Sequence, residues 1–225
     1  MHDTLDALGP QLNFGLTAIP LAIGWFVKTA LSKEGHELLT RTAAKGLSKQ
    51  ELDALIRGVR APDVNGPITN HIKLKEQRRH ALRQTLGSKT RKALGEAVGH
   101  LHKLHGNALA ARARPKQLEI VGEALHLIQD SFSPAHVQRK GRKIKKLRNY
   151  GPANWTRPWE DNHGFPMDSR DNPKDKKGNL NGPARSAVAA SSEYLVLVAR
   201  HVKTPPSVPQ RKKDLDAFTG KWLAM

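Results

Sequence analysis

The chain has 225 residues, of which 38% are hydrophobic and only 5% aromatic, and its formal net charge is +18 at pH 7. This length suffices for one domain with a sizeable core, and the charge indicates an anionic partner such as nucleic acid, an anionic membrane surface or a phosphorylated substrate. The chain contains no cysteine, which excludes disulfides and thiolate metal sites, so any metal ion needs His, Asp or Glu ligands.

Residues 1–32 are an apolar N-terminal segment, with no charged residue from Ala7 to Val27. A signal peptide is disfavoured because the residues before this stretch are acidic rather than basic. A membrane-spanning helix is disfavoured because Pro10 and Pro20 interrupt the stretch. We therefore expect an apolar strap packed on the domain, with membrane insertion or export as the alternative.

Residues 33–203 are expected to form one domain made mostly of helices. A first helix is expected to end at Gly46. The next begins at Ser48, with Glu51 three residues later in the pattern of a capping box, and is expected to stop at Gly58.

The stretch RAPDVNGPITNH is expected to be a loop because it contains two prolines and a glycine. Helices are expected at about residues 74–86 and from Ser88 towards Ala113. His105, on the second of these, is expected to be a surface residue. Pro115 fits the first turn of another helix, whose apolar residues recur with the 3.6-residue period.

The chain from Pro134 to about Gly182 is expected to be one long irregular region, because it is rich in Pro, Gly, Asn and charge. Pro183 then begins a further helix, and residues 204–225 are expected to be a C-terminal linker and a short last helix. No strand is predicted. The predicted fold class is therefore all-α, a compact multi-helix domain with one long irregular loop region.

The sequence HLIQDSFSPAH places three candidate ligands around the end of one predicted helix. His126 and Asp130 are four residues apart and share a helix face, and Pro134 can turn the chain so that His136 returns towards that face. Imidazole nitrogens and carboxylate oxygens are good zinc ligands. The same residues could instead cap and satisfy a buried helix end without any metal.

The longer stretch GEALHLIQDSFSPAH resembles the signature of the zinc-dependent phospholipase C superfamily, which also contains the fungal and plant single-strand nucleases. The resemblance covers about His36 to His201 and implies two to three zinc ions in a cleft between helices. It implies that His126 and Asp130 hold one zinc ion together with an upstream histidine, and that His136 holds a second.

The resemblance also implies ligands N-terminal to this motif. Asp63, in the sequence RAPD, would lie between the metal ions as the catalytic residue that orients or deprotonates the attacking water. The upstream histidine would be His71, which lies in the expected loop, with His80 as the alternative. His36 would be a ligand of the third metal ion.

C-terminal to the motif, the resemblance implies that His163 and Asp168 complete the second zinc site. The offset between these two residues is five rather than the four residues usual in the family. Asp171 or Glu160 could therefore substitute for Asp168.

The sequence after His136 is first strongly basic and then aromatic. Seven basic residues between Arg139 and Arg148 could steer the chain to an anionic bilayer, follow a nucleic-acid backbone or form a solvated loop. We assign Arg139 and Lys140 to substrate binding. We also assign Trp155 and Trp159 to substrate binding, because they could stack on bases or lie at a lipid interface. The alternative is that they pin a loop to the core.

The resemblance predicts a metal-dependent phosphoric diester hydrolase, specifically a phospholipase C that cleaves phospholipid at a membrane surface to diacylglycerol and a phosphorylated headgroup. A single-strand nuclease with the same metal site is the first alternative. A non-catalytic basic protein that binds nucleic acid or membrane is the second. We expect a secreted protein or a delivered effector rather than a resident cytoplasmic enzyme.

Overall fold

The computed structural model describes residues 35–64, 74–83, 89–148 and 172–225. These residues form six α-helices, one 3-10 helix and one two-stranded sheet, which confirms the all-α prediction. The helices are α1 (His36–Ala43), α2 (Lys49–Val64), α3 (Thr90–Ala110), α4 (Arg114–Asp130), α5 (Gly182–Lys203) and α6 (Val208–Trp222); the 3-10 helix is Leu74–His80, and the strands are β1 (Val137–Lys140) and β2 (Lys143–Leu147).

The apolar N-terminal segment, residues 1–32, lies outside the described residues. Of the helices that are described, none combines the length and the apolar character needed to cross a membrane.

Helix α2 begins as predicted but ends later. The main-chain N–H of Ser48 donates to Glu51 Oε2 at 3.1 Å, and the N–H of Glu51 donates to Ser48 Oγ at 3.3 Å, which is the predicted capping box. The expected stop at Gly58 is wrong, because α2 continues to Val64 and contains Pro62. The sequence RAPD is therefore the end of a helix and not a loop.

Gly58 is explained by a close crossing of α2 and α4. A Cβ atom at Gly58 would overlap the main-chain oxygen of Glu119, and a Cβ atom at Gly122 would lie 2.6 Å from the amide nitrogen of Val59. Any side chain larger than hydrogen would push the two backbones apart. The glycine marks a helix contact, and this is why reading it as a helix end was wrong.

Helix α4 is the central element of the core. Helices α1, α2, α3 and α5 and the 3-10 helix all pack against it. Every residue from Ala124 to Asp130 is buried, so the polar side chains near its C-terminal end are buried with the apolar ones. Helix α6 adds Phe218 and Trp222 to the same apolar core.

A β-hairpin follows α4 where an irregular region was expected. Strands β1 and β2 are antiparallel, with Val137 opposite Leu147, and Gly141 has a φ of 59° in the connecting turn. Val137, Ile144 and Leu147 are buried, whereas lysines and arginines occupy most other positions. The high proportion of basic residues hid the strand pattern, so the prediction of no strand was wrong.

Several other helix boundaries differ from the sequence expectations. Helix α1 ends at Ala43, and the helix expected at about residues 74–86 is a 3-10 helix that ends at His80. Helix α6 begins inside the stretch expected to be a linker, where Ser207 Oγ accepts the N–H of Gln210 as an N-cap. Pro115 lies in the first turn of its helix, as predicted.

We predict that Gly122→Ala lowers the free energy of unfolding by about 3 kcal/mol, because the added methyl group must separate α2 from α4. Denaturant unfolding followed by circular dichroism measures this change. Gly99→Ala is the matched control: Gly99 is exposed in α3, and a Cβ atom added there would have no neighbour within 4 Å, so alanine should stabilise by about 0.5–1 kcal/mol. Equal effects of the two substitutions would contradict the backbone contact.

Candidate metal centre

Side chains from four helical elements and one turn converge at the C-terminal end of α4. Helix α1 supplies one residue, as do α2 and the 3-10 helix; α4 supplies two, and the turn before β1 supplies the last. These are His36, Asp63, His80, His126, Asp130 and His136.

Asp130 is at the middle of this cluster, and its two oxygens face different histidines. Oδ2 is 3.1 Å from His126 Nε2 and 3.2 Å from His80 Nδ1. Oδ1 is 3.0 Å from His36 Nε2 and 3.7 Å from His136 Nε2. One buried carboxylate thus joins two pairs of imidazoles.

Main-chain oxygens determine the tautomers of two of these histidines. Val59 O lies 2.9 Å from His126 Nδ1, and His80 O lies 2.7 Å from His136 Nδ1. A carbonyl oxygen only accepts, so each Nδ1 must carry the hydrogen. In the neutral form, each Nε2 then has a lone pair directed into the cluster, which is how metal-binding histidines are held.

The side chain of Gln129 determines the tautomer of His36 in the same way. Its Nδ1 is 2.8 Å from Gln129 Oε1, and Gln129 Nε2 donates to Thr40 Oγ1 at 2.9 Å. The second bond orients the amide so that its oxygen faces His36 and accepts from Nδ1. Nε2 of His36 is therefore also directed at Asp130.

Ligand atoms of Asp63, His80 and His126 lie close enough together to hold one metal ion. Zinc–ligand bonds of about 2.0–2.2 Å place neighbouring ligand atoms about 3.3 Å apart in a tetrahedron. His80 Nδ1 and His126 Nε2 are 2.9 Å apart, and Oδ1 of Asp63 lies 3.8 Å from the first and 3.7 Å from the second. With Oδ2 of Asp130, these atoms form a donor set that fits zinc.

The electrostatics of the cluster keep Asp130 ionised. Burial opposes its charged form, but attraction to His136, His126 and His36 outweighs burial and lowers its pKa well below the usual value. Burial also opposes the charged form of His36, but Asp130 raises the pKa of His36 to about 9. For His80, burial dominates and lowers the pKa.

Several predicted site residues lie outside the described part of the chain. His80, the alternative upstream histidine, is in the cluster, whereas the preferred His71 is not among the described residues. The other residues outside the description are His163, Asp168, its substitutes Asp171 and Glu160, and the two tryptophans Trp155 and Trp159.

The two basic residues assigned to substrate binding have different surroundings. Arg139 donates from Nε to Ser131 O at 2.7 Å and from Nη2 to Trp222 O at 2.9 Å, and its guanidinium stacks on Phe132 at 4.1 Å. These contacts give Arg139 a structural role, and its assignment to substrate binding stays a prediction. Lys140 is exposed.

The chain sequence did not indicate the groups that orient the histidines. Main-chain oxygens carry no residue-type signal, so Val59 and His80 could not be recognised in this role. By sequence alone, Gln129, Glu37 and Glu123 are equally plausible side chains for this role. Glu123, for example, pairs with Arg79 at 2.8 Å instead.

His105 is buried rather than exposed, in a second polar chain away from this cluster. Its Nε2 is 2.9 Å from His201 Nδ1 and its Nδ1 is 3.3 Å from the hydroxyl of Tyr194. His201 Nε2 lies 2.8 Å from Asp214 Oδ2. Burial lowers the pKa of His105 to about 4. The contacts from Tyr194 through His105 and His201 to Asp214 join α3, α5 and α6.

The chain matches no protein-family model, no curated protein and no solved structure. The resemblance to the zinc-dependent phospholipase C superfamily therefore remains a prediction.

We predict that Asp130→Asn weakens zinc binding by more than about 100-fold, because removing a group that only orients a ligand already costs 10–100-fold. Asparagine keeps the shape but loses the charge shared by the two imidazole pairs. Isothermal titration with zinc measures the loss. Asp216→Asn, at an exposed position on α6, should bind zinc like the wild type; no zinc binding by the wild type would rule out the metal centre.

We predict that zinc binding displaces a proton from His36 over the pH range from its ordinary pKa of 6.5 to the raised value of about 9. In this range the metal-free protein holds the proton, which zinc must remove, so the apparent affinity rises by at least about tenfold per pH unit. Titrations at several pH values measure this slope. His36→Gln should reduce it by about one proton, and an unchanged slope would show that His36 is not a ligand.

Proposed function

We propose that this chain is a zinc-dependent phosphodiester hydrolase, and specifically a phospholipase C that cleaves phospholipid to diacylglycerol and a phosphorylated headgroup. The observation that carries the proposal is the orientation of three histidines around Asp130. In His36, His126 and His136, an oxygen acceptor holds Nδ1 and leaves Nε2 directed at the carboxylate. A helix cap needs one such partner, whereas a metal centre needs several.

The division of ligands supports two metal positions that share Asp130. His80 and His126 lie by Oδ2, and His36 and His136 lie by Oδ1. Nitrogen and carboxylate ligands without thiolates suit zinc. By the resemblance, His163 and Asp168 would complete the second zinc site with His136, and His36 would be a ligand of a third ion.

The exposure of the ligands indicates how substrate would reach the cluster. The side chains of His80 and Asp130 are 0% and 2% exposed, whereas those of Asp63 and His36 are 22% and 26% exposed. A phosphate group would therefore approach on the side of Asp63 and His36.

Asp63 is the proposed catalytic residue. When bound, the metal ions would lower the pKa of a coordinated water molecule and neutralise charge on the phosphate. Oδ1 of Asp63 is within 4 Å of two ring nitrogens of the cluster, and the side chain is 22% exposed. With one oxygen on the metal, the carboxylate can orient the attacking water and accept its proton through the other oxygen.

The described surface favours phospholipid over a nucleic-acid single strand. Single-strand binding proteins stack bases on exposed aromatic side chains. The aromatic side chains of the described residues are all buried, namely Phe132, Tyr194, Phe218 and Trp222. The net charge of +18 is the observation that keeps a single-strand nuclease as the second candidate.

We predict that the zinc-loaded chain releases phosphorylated headgroup from mixed phospholipid vesicles, and that Asp63→Asn slows release by at least about 100-fold through loss of the general base. Phosphate assay of the released headgroup measures the rate, with Asp216→Asn as the matched control. No release from any lipid while zinc is bound would contradict the phospholipase. Cleavage of single-stranded DNA would then indicate the nuclease, and no cleavage of either substrate would indicate a non-catalytic basic protein.

A further inference from the structure

The hairpin β1–β2 has a group of positive charges that the fold itself does not require. Lys140 and Lys143 are directly opposite each other in the register, and Lys145 is the extra residue at the irregularity between β1 and β2. We call these three residues the lysine cluster. All three are exposed, and within the described part of the chain no hydrogen bond or ion pair involves their ammonium groups.

This arrangement opposes the stability of the hairpin. Like charges directly opposite each other in an antiparallel pair repel, and the burial of Val137, Ile144 and Leu147 in the core must offset this cost. The sequence contains no acidic residue between Asp130 and Glu160 that could relieve it locally. Residues that destabilise the fold locally, without a structural benefit, are typical of a functional surface.

The hairpin is joined firmly to the candidate metal centre. Strand β1 begins one residue after His136, and the N–H of Arg148 donates to the carbonyl oxygen of His136 at 2.7 Å, so both ends of the hairpin meet at this histidine. The internal bonds of Arg139 fix the hairpin to the end of α4. At about 3.3 Å per residue, Lys140 is about 13 Å along the strand from His136.

We propose that the lysine cluster docks the chain on an anionic phospholipid bilayer and so places the metal centre at that surface. Docking depends on the hairpin alone, whereas hydrolysis of the docked lipid rests on the proposed function. Lysine ammonium groups on flexible stems attract lipid headgroups as point charges. A bilayer fits better than a nucleic-acid strand because the described aromatic side chains, which could stack on bases, are buried.

Binding to vesicles tests the docking surface. The zinc-loaded chain carrying Asp63→Asn, which keeps the lipid intact, is sedimented with phosphatidylcholine vesicles with and without phosphatidylserine. We expect binding that requires phosphatidylserine, weakens with salt and falls by about 100-fold in K140Q/K143Q/K145Q. The matched control is K103Q/K203Q/K213Q, which removes the same charge from exposed positions on α3, α5 and α6 and should bind within about threefold of the parent.

The outcomes decide the proposal. Equal loss in both triple variants would overturn it, because net charge rather than the hairpin would then drive binding. Binding of single-stranded DNA through the lysine cluster, without vesicle binding, would also overturn it and make nucleic acid the partner. Thermal unfolding of K140Q/K143Q/K145Q checks that this variant folds, and relief of the repulsion predicts an unfolding midpoint at or above that of the parent. If the triple variant does not fold, the single variant K143Q replaces it, with an expected loss of about fivefold in binding.

Hydrolysis separates this proposal from the proposed function. If the chain docks through the lysine cluster but the wild-type protein hydrolyses no lipid, docking stands and the phospholipase fails. If the wild type and the lysine-cluster variant hydrolyse vesicles equally, docking fails and the phospholipase stands. Both proposals together predict that the variant loses at least about tenfold more activity on vesicles than on a short-chain lipid below its micelle concentration.

Discussion

The close crossing of α2 and α4 is the constraint on which the candidate metal centre depends. Gly58 and Gly122 allow the two backbones to touch, which no larger residue would permit. The crossing places Val59 O within 2.9 Å of His126 Nδ1. Asp63 is one helical turn after Val59 on α2, and Asp130 is one turn after His126 on α4. The same crossing therefore brings Asp63 to the vicinity of Asp130.

The buried charge of Asp130 at the end of α4 requires neighbouring groups that stabilise it. An ionised carboxylate in the core is costly unless it is paired and hydrogen-bonded. Asp130 has four imidazoles around its two oxygens, and they hold its pKa well below the ordinary value. The oxygen acceptors behind three of these rings limit their rotation. The cluster is thus ordered by the surrounding fold, which is the condition that a metal centre needs.

The sequence indicated the ligand types but left their choice open. His126, Asp130 and His136 were recognisable because their spacing around a helix end is local. His80 was only an alternative, because it lies in a predicted helix and not in the expected loop that contains His71. Its partner Asp130 is fifty residues away in the chain. Gln129 and the carbonyl oxygen of Val59 act across elements, so they give no local pattern. The hairpin was missed because lysine and arginine replaced the polar–apolar alternation that usually marks strands.

The sequence by itself determined the class of the fold, the capping box at Ser48, the prolines at helix starts and the possibility of a metal centre without thiolates. These features depend on residues within a few positions of one another, for which periodicity and side-chain chemistry are sufficient. Only the tertiary structure decided that α2 continues past Gly58, that His105 is buried against His201, and that five ligand-type residues surround the carboxylate of Asp130. Each of these depends on which backbone lies against another, and the distances that decide it join residues far apart in the chain.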